Sequence, residues 1–126
     1  MKLSLESHSD INEITSYDDN HVVIRSRNSL DLLRLEENFI LTPTLVVPNK
    51  TISDVVEPNE LDYLKALEPE VLILSKVAEQ QLSPHVLVTL SQQAIGVESM
   101  LIGAACRTYN LLAAEGRHVV LVVKFD

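Results

Sequence analysis

The run Val119-Val120-Leu121-Val122-Val123 stands unbroken between Arg117-His118 and Lys124. A strand with one face in water alternates apolar and polar residues, so a continuous aliphatic run needs cover on both faces. Its place is the middle of a sheet. Val71-Leu72-Ile73-Leu74 is a second run of the same kind. Two doubly covered strands imply parallel-sheet character, and parallel strands must be joined by long crossovers, usually helices.

The crossovers can be read from the residues between these runs. Asn59-Glu60 makes a helix start for Leu61, Leu64 and Leu67, and Pro69 closes the segment. Ser83 followed by Pro84 matches an N-cap with proline at the first helical position, after which Val86, Leu87, Leu90 and Ala94 recur at helical spacing. Ile95 to Glu98 reads as a brief strand. Ala104 to Glu115, rich in Ala and Leu, reads as the longest helix and is stopped by Gly116 in the C′ position. Strand, helix, strand with short connections predicts an α/β arrangement with right-handed crossovers.

The first half differs. Ile11, Ile14 and Tyr17, then His21 to Ile24, Phe39 to Leu41 and Leu45 to Val47 are short apolar pieces broken by Asp18-Asp19-Asn20, Pro43 and Pro48, and they read as strands and turns. Leu30 to Leu35 fits a strand or a helical turn, since Leu30, Leu33 and Arg34 fall at helical spacing, and both stay open. No repeat or Pro/Gly-rich linker divides residues 1–126. The expectation is therefore one compact α/β domain, a mixed sheet with helices plus a β-rich N-terminal part. At 14.0 kDa such a chain can bury a core without disulfide or metal staples. With no Trp and few other aromatics, that core must be aliphatic, and surfaces built on aromatic stacking are excluded.

Ten Lys and Arg against 18 Asp and Glu give a formal charge of −8, which repels phosphate backbones and excludes nucleic acid as a partner. The whole imbalance falls in residues 1–70, with 14 acids and 6 bases; residues 71–126 carry four of each and read as the core-forming part. The lone Cys106 points to a reducing compartment. The start shows no signal-peptide pattern and no apolar stretch approaches bilayer length, so the reading is a cytoplasmic protein without an integral membrane segment.

Gly96, Gly103 and Gly116 each stand alone at an element end, so no phosphate loop exists; nucleophile-elbow and paired-histidine motifs are also missing. No catalytic residue, metal site or cofactor is expected. Cys106 lies near the start of the last helix beside Arg107, where dipole and cation both favour thiolate. Its small neighbours Ala104 and Ala105 equally suit a packing cysteine, and burial is the reading taken. The densest polar set is Arg107, Thr108, Tyr109, Asn110, Glu115 and Arg117. Arg107 and Asn110 share a helical face, and Glu115 and Arg117 flank Gly116 closely enough to pair. As binding residues, Arg107, Tyr109, Asn110, Glu115 and Arg117 would offer donors to a carboxylate or a backbone. As structure, they would be helix-end ion pairs plus a tyrosine hydroxyl tied to a loop. His8, His21, His85 and His118 read as surface or edge residues.

Ile95-Gly96-Val97-Glu98, Ala104 through Asn110, then Leu112, Ala114-Glu115-Gly116-Arg117 and Val119 closely resemble the signature of a small α/β family. Its eukaryotic member is the third assembly factor of mitochondrial respiratory complex I. Thr42-Pro43 and the Glu70 to Leu74 strand also suit that family, so the likeness covers nearly the whole chain, weakest in the N-terminal third. It implies a compact domain with a β-rich part beside helices on a mixed sheet, and no catalytic activity. Two departures stand out: Ser75-Lys76-Val77 replaces a Gly-Thr-Gly turn, and Leu101-Ile102 replaces an Asp-Thr pair. The first removes a backbone able to approach a ligand closely, the second a natural helix cap and an acid.

The functional expectation is a non-catalytic accessory protein whose partner is another protein, of the kind that assists assembly of a respiratory or membrane complex. Self-association is left open. The alternative is a small-molecule domain with a pocket for an anionic metabolite near Arg107, Tyr109 and Asn110, or an unrecognised enzyme.

Overall fold

A computed structural model of the chain describes residues 10–53, 57–76 and 84–125. Among these residues the elements run β1 (Glu13–Tyr17), β2 (Val22–Arg25), β3 (Leu32–Leu35), β4 (Phe39–Leu41), β5 (Val46–Pro48), α1 (Pro58–Ala66), β6 (Val71–Lys76), α2 (Pro84–Gln92), β7 (Gly96–Leu101), α3 (Ile102–Ala114) and β8 (Val119–Lys124). Strands β1, β2 and β3 form an antiparallel three-stranded sheet, and the other five form a mixed sheet in the order β5-β4-β8-β6-β7. Strand β6 runs parallel to β7 and β8, while β4 pairs antiparallel with β5 and β8.

The middle of that order is β8, and all six of its residues are buried. Alternate side chains serve opposite cores. Val119, Leu121 and Val123 join one apolar cluster with Ile73, Phe39 and Leu41; Val120 and Val122 join a second with Leu72, Leu74 and Ile40. This division explains the absence of polar alternation, since both faces gain roughly 2 kcal/mol per buried side chain. From β6 the chain crosses to β7 on one side through α2, then back over β6 to β8 through α3. Right-handed crossovers in opposite directions set the two helices on opposite faces. Leu90 of α2 and Leu64 of α1 accordingly pack in the second cluster. Ile102, Ala105, Cys106, Tyr109 and Ala113 of α3 pack in the first, beneath Ile14, Val22, Ile24 and Leu35 of the small sheet.

Several boundaries differ from the sequence expectation. The open segment is a strand: Leu33 pairs with Ile24 and Leu35 with Val22, so period two wins where a neighbouring strand is available. Helix α1 starts earlier than Asn59, because Pro58 fits its first turn and the Glu60 carboxylate reaches back to the Glu57 N–H at 2.9 Å and to Ser53. Helix α2 begins at Pro84, while Ser83, expected as its cap, lies outside the described residues, as do His8 and Val77.

Ala94, counted above on an apolar helix face, instead lies past the end of α2 with φ +59°. Its N–H donates to the Ser91 carbonyl and the Ile95 N–H to the Leu90 carbonyl, which satisfies the last turn. Gly116 closes α3 in the same way, with φ +82°, Gly116 N–H to Ala113 and Arg117 N–H to Leu112. Strand β7 extends to Leu101 rather than ending at Glu98. Helix α3 follows without a loop from Ile102, two residues before the expected Ala104, and Leu101 stands at its N-cap with no side-chain bond.

Candidate functional site

Arg107, Tyr109 and Asn110 of the polar stretch singled out in the sequence reach from α3 to the small sheet and the residues leading into it, while Glu115 and Arg117 lie past the helix end. Tyr109 is fully buried, and its hydroxyl donates to the Asn12 carbonyl at 2.8 Å. Burial, aided by the charge of Glu13, pushes its phenol above the usual range. Asn110, one residue on, meets the backbone of Ile14 with both ends of its amide. Arg107 is exposed and donates from a guanidinium nitrogen to the Tyr17 hydroxyl at 2.8 Å. Gly103 lies directly beneath this pair; a Cβ there would stand 3.3 Å from the Arg107 guanidinium and 3.4 Å from the Tyr17 ring. Three residues of one helix thus tie the beginning and end of β1 to the main body.

Cys106 is buried on the same helix, and its thiol is pushed up to about 12 by desolvation, which outweighs the lowering field of Arg107. At neutral pH it is a protonated packing group. The pairing of Glu115 with Arg117 is replaced by another. Arg117 reaches Glu70, Nε to Oε2 at 3.5 Å, and the other Glu70 oxygen accepts the His118 N–H at 2.9 Å. Gly116 between them is left-handed, at φ +82°, and Glu70, at the entry to neighbouring β6, is the acid that Arg117 reaches. The His118 N–H, with the charge of Arg117, holds the Glu70 carboxyl below the usual glutamate range.

Asn12 is the residue that sequence reasoning missed. It is 2% exposed and uses every polar group it has. Its N–H donates to the Pro43 carbonyl at 2.7 Å, its side-chain amide donates to the Thr42 carbonyl at 2.9 Å, its side-chain oxygen accepts the Arg27 N–H at 2.8 Å, and its carbonyl accepts Tyr109. One asparagine therefore joins β1, the β2–β3 turn, the β4–β5 turn and α3. Nothing in the local pattern marks it, because its partners lie 15 to 97 positions away. Beside it opens a cleft of about 390 Å³ at the amino end of β8, lined by Arg27, Thr42, Thr44, Leu67, Arg117 and Val119 among others. Of the five residues expected to bind, only Arg117 borders this cleft.

Among the described residues no group of three or more His, Cys, Asp or Glu could hold a metal ion, and no helix is long and apolar enough to cross a membrane. The family model described as "Protein of unknown function (DUF498/DUF598)" matches residues 14–123. The chain belongs to the DUF498 family. The matched span runs from the residue clamped by Asn110 to the last apolar residue of β8, and so takes in both sheets and all three helices.

This DUF498 chain is 27% identical over 104 residues to a Francisella tularensis protein named "13 kDa major membrane protein", the match covering 79% of this chain and 85% of that protein. It is 31% identical to a Xanthomonas campestris protein solved by NMR, covering 98% of this chain and 91% of that one with a TM-score of 0.72. A Bordetella pertussis protein described as a Mth938-like domain has the same fold, at 24% identity and a TM-score of 0.71 over 100% of this chain and 93% of that one. The fold of the DUF498 chain is thus Mth938-like.

Proposed function

We propose that this DUF498 chain is a non-catalytic accessory protein that binds another protein and assists assembly of a membrane-associated complex, with respiratory complex I as the nearest model. The reading is supported by the resemblance of the 95–119 stretch to the complex I assembly factor family and by the membrane name of the Francisella relative. It is also supported by the engagement of Tyr109 and Asn110 in internal bonds, which makes them positioning residues. Of the five residues expected to bind, Arg107, Glu115 and Arg117 present exposed side chains to a partner. The cytoplasmic location inferred from the lone Cys106 belongs to the same proposal.

The observation that carries the reading is the edge of the small sheet. Strand β3 pairs with β2 on one side, and among the described residues no strand pairs with its other edge. Leu32 and Leu33 of β3 are 61% and 38% exposed, and Leu30, two residues before the strand, is 59% exposed. Leu32 lies on the face opposite the buried Leu35, so it and Leu30 leave exposed apolar surface beside this edge, near exposed Asp31 and Glu37, with Glu36 paired to Arg34 at 2.9 Å. A partner of matching chemistry is a basic chain presenting apolar residues in an extended segment, which adds to the edge by backbone hydrogen bonds while the acids steer its approach.

The test is affinity capture with tagged wild-type and Leu32→Glu protein from the source cells. Leu32 points to solvent, so the variant should keep its melting temperature. The reading expects a co-purifying basic protein that is lost with the variant; equal capture by both removes β3 from the account. Light scattering on the purified chain reports self-association through the same edge.

A further inference from the structure

The cleft at the amino end of β8 has walls fixed by the same Asn12 bonds that join β1 to the two turns and α3. Asn12 holds the Arg27 N–H, the Thr42 carbonyl and the Pro43 carbonyl, so the two turns that flank the opening have one relative placement. The Thr44 N–H donates to the Thr42 hydroxyl at 3.2 Å and stiffens the second turn further. Preorganised walls of this kind lower the ordering cost of binding. A volume of about 390 Å³ lies in the range of small-molecule sites.

The chemistry of the lining is divided. Pro43, Leu67 and Val119 supply apolar surface. Arg27 and Arg117, both exposed, border the cleft from the β2–β3 turn and from the entry to β8, and each carries a guanidinium on a flexible stem. Arg27 makes no ion pair among the described residues, and Arg117 is held by Glu70 only at 3.5 Å. Guanidinium forks match the planar carboxylate. Asp10 and Glu68 also border the cleft, and the chain as a whole carries −8, so a polyanion is repelled where a single negative charge is tolerated.

We infer that this cleft binds a small organic acid, its one carboxylate on Arg27 and Arg117 and its apolar body along Pro43, Leu67 and Val119. The site is separate from the β3 edge and from Arg107, Tyr109 and Asn110 on α3; it takes Arg117, which leaves Arg107 and Glu115 of the polar constellation for a macromolecular partner.

The probes are hexanoate and phenylacetate, with hexanamide and phenylacetamide as uncharged counterparts and inorganic phosphate as the polyanion. Each is titrated into 15N-labelled full-length chain. The expected result is saturable shifting of the Arg27, Thr44, Glu68, Arg117 and His118 amides by at least one of the acids, about tenfold weaker with the amides and with phosphate. Arg27→Gln leaves the backbone bond to Asn12 intact and should weaken acid binding about tenfold with the remaining spectrum unchanged. Arg34→Gln, on the far side of the small sheet, should leave it unchanged. Shifts that do not saturate, that follow the amides equally, that are stronger with phosphate, or that fall equally with Arg34→Gln each overturn the assignment.

Discussion

The side-chain amide of Asn110 holds Ile14 at both backbone groups: its nitrogen donates to the Ile14 carbonyl at 2.8 Å, and its oxygen accepts the Ile14 N–H at 2.9 Å. Ile14 lies on the outer edge of the small sheet, just before the irregularity that follows it in the pairing of β1 with β2. An asparagine amide has the donor and acceptor of a peptide group, so α3 contributes one unit of a missing neighbouring strand. The edge is thereby closed at its most buried residue.

Asn110→Ala removes both bonds. At about 1 kcal/mol each, the loss is roughly 2 kcal/mol, or about 5–8 °C in melting temperature for a domain of this size. The Ile14 amide should also exchange with solvent far faster, while amides of β6 and β8 follow global stability. An unchanged Ile14 exchange rate would show that the clamp contributes nothing.

Ala94→Gly should stabilise the protein. Ala94 is exposed at φ +59°, a conformation glycine adopts without the Cβ clash, and both turn bonds are made by backbone. The gain is about 0.5–1 kcal/mol after the greater freedom of glycine in the unfolded chain is subtracted. Urea unfolding should show a higher midpoint with an unchanged slope; a lower midpoint contradicts the account.

Native Cys106 should react with Ellman's reagent at pH 8 at least about a thousandfold more slowly than the denatured chain, in keeping with opening equilibria of a stable domain. Its thiol is raised from 9.0 to about 12 in the fold. The unfolded chain loses the proton first, so this group's contribution is fully present below pH 9 and declines as pH rises toward 12. Cys106→Ala should flatten that alkaline decline. Labelling at the denatured rate would place the thiol at the surface.

Glu70 gives the opposite pH dependence. Its carboxyl is held below the ordinary 4.5 by the His118 N–H and then by Arg117. The stabilisation is present above the unfolded value and is lost as pH falls through the folded one. Wild type should melt above Glu70→Gln at pH 6, and the two curves should converge as pH falls through the lowered folded-state value. A constant difference across that range would mean that the charge has no part in it.

The strands that carry continuous apolar runs were legible because burial on two faces leaves only one reading of Val119 to Val123 and of Val71 to Leu74. Helix α3 was legible from its Ala/Leu pattern and Gly116. Leu32 to Leu35 was not, since four residues with three leucines satisfy either period and only the neighbouring Val22 to Arg25 decides. Ala94 was misread because its left-handed turn rests on backbone bonds that any residue can make. The polar face of α3 was visible as residue types, yet its partners Asn12, Ile14 and Tyr17 lie some ninety positions upstream, beyond any local pattern. The cleft was hidden for the same reason: Arg27 and Arg117 border one opening only through the topology.

The order of synthesis acquires a meaning from the position of β8. Strands β4 and β6 each pair with β8 and not with each other, so the five-stranded sheet has no centre until Val119–Lys124 has been made. During the several seconds roughly needed to translate from β6 to β8, Phe39 to Leu41 and Val71 to Leu74 wait with open edges and uncovered faces. A nascent chain of this design is exposed to wrong pairing until almost all the described sequence has left the ribosome. Any chaperone that attends it must hold on past α3.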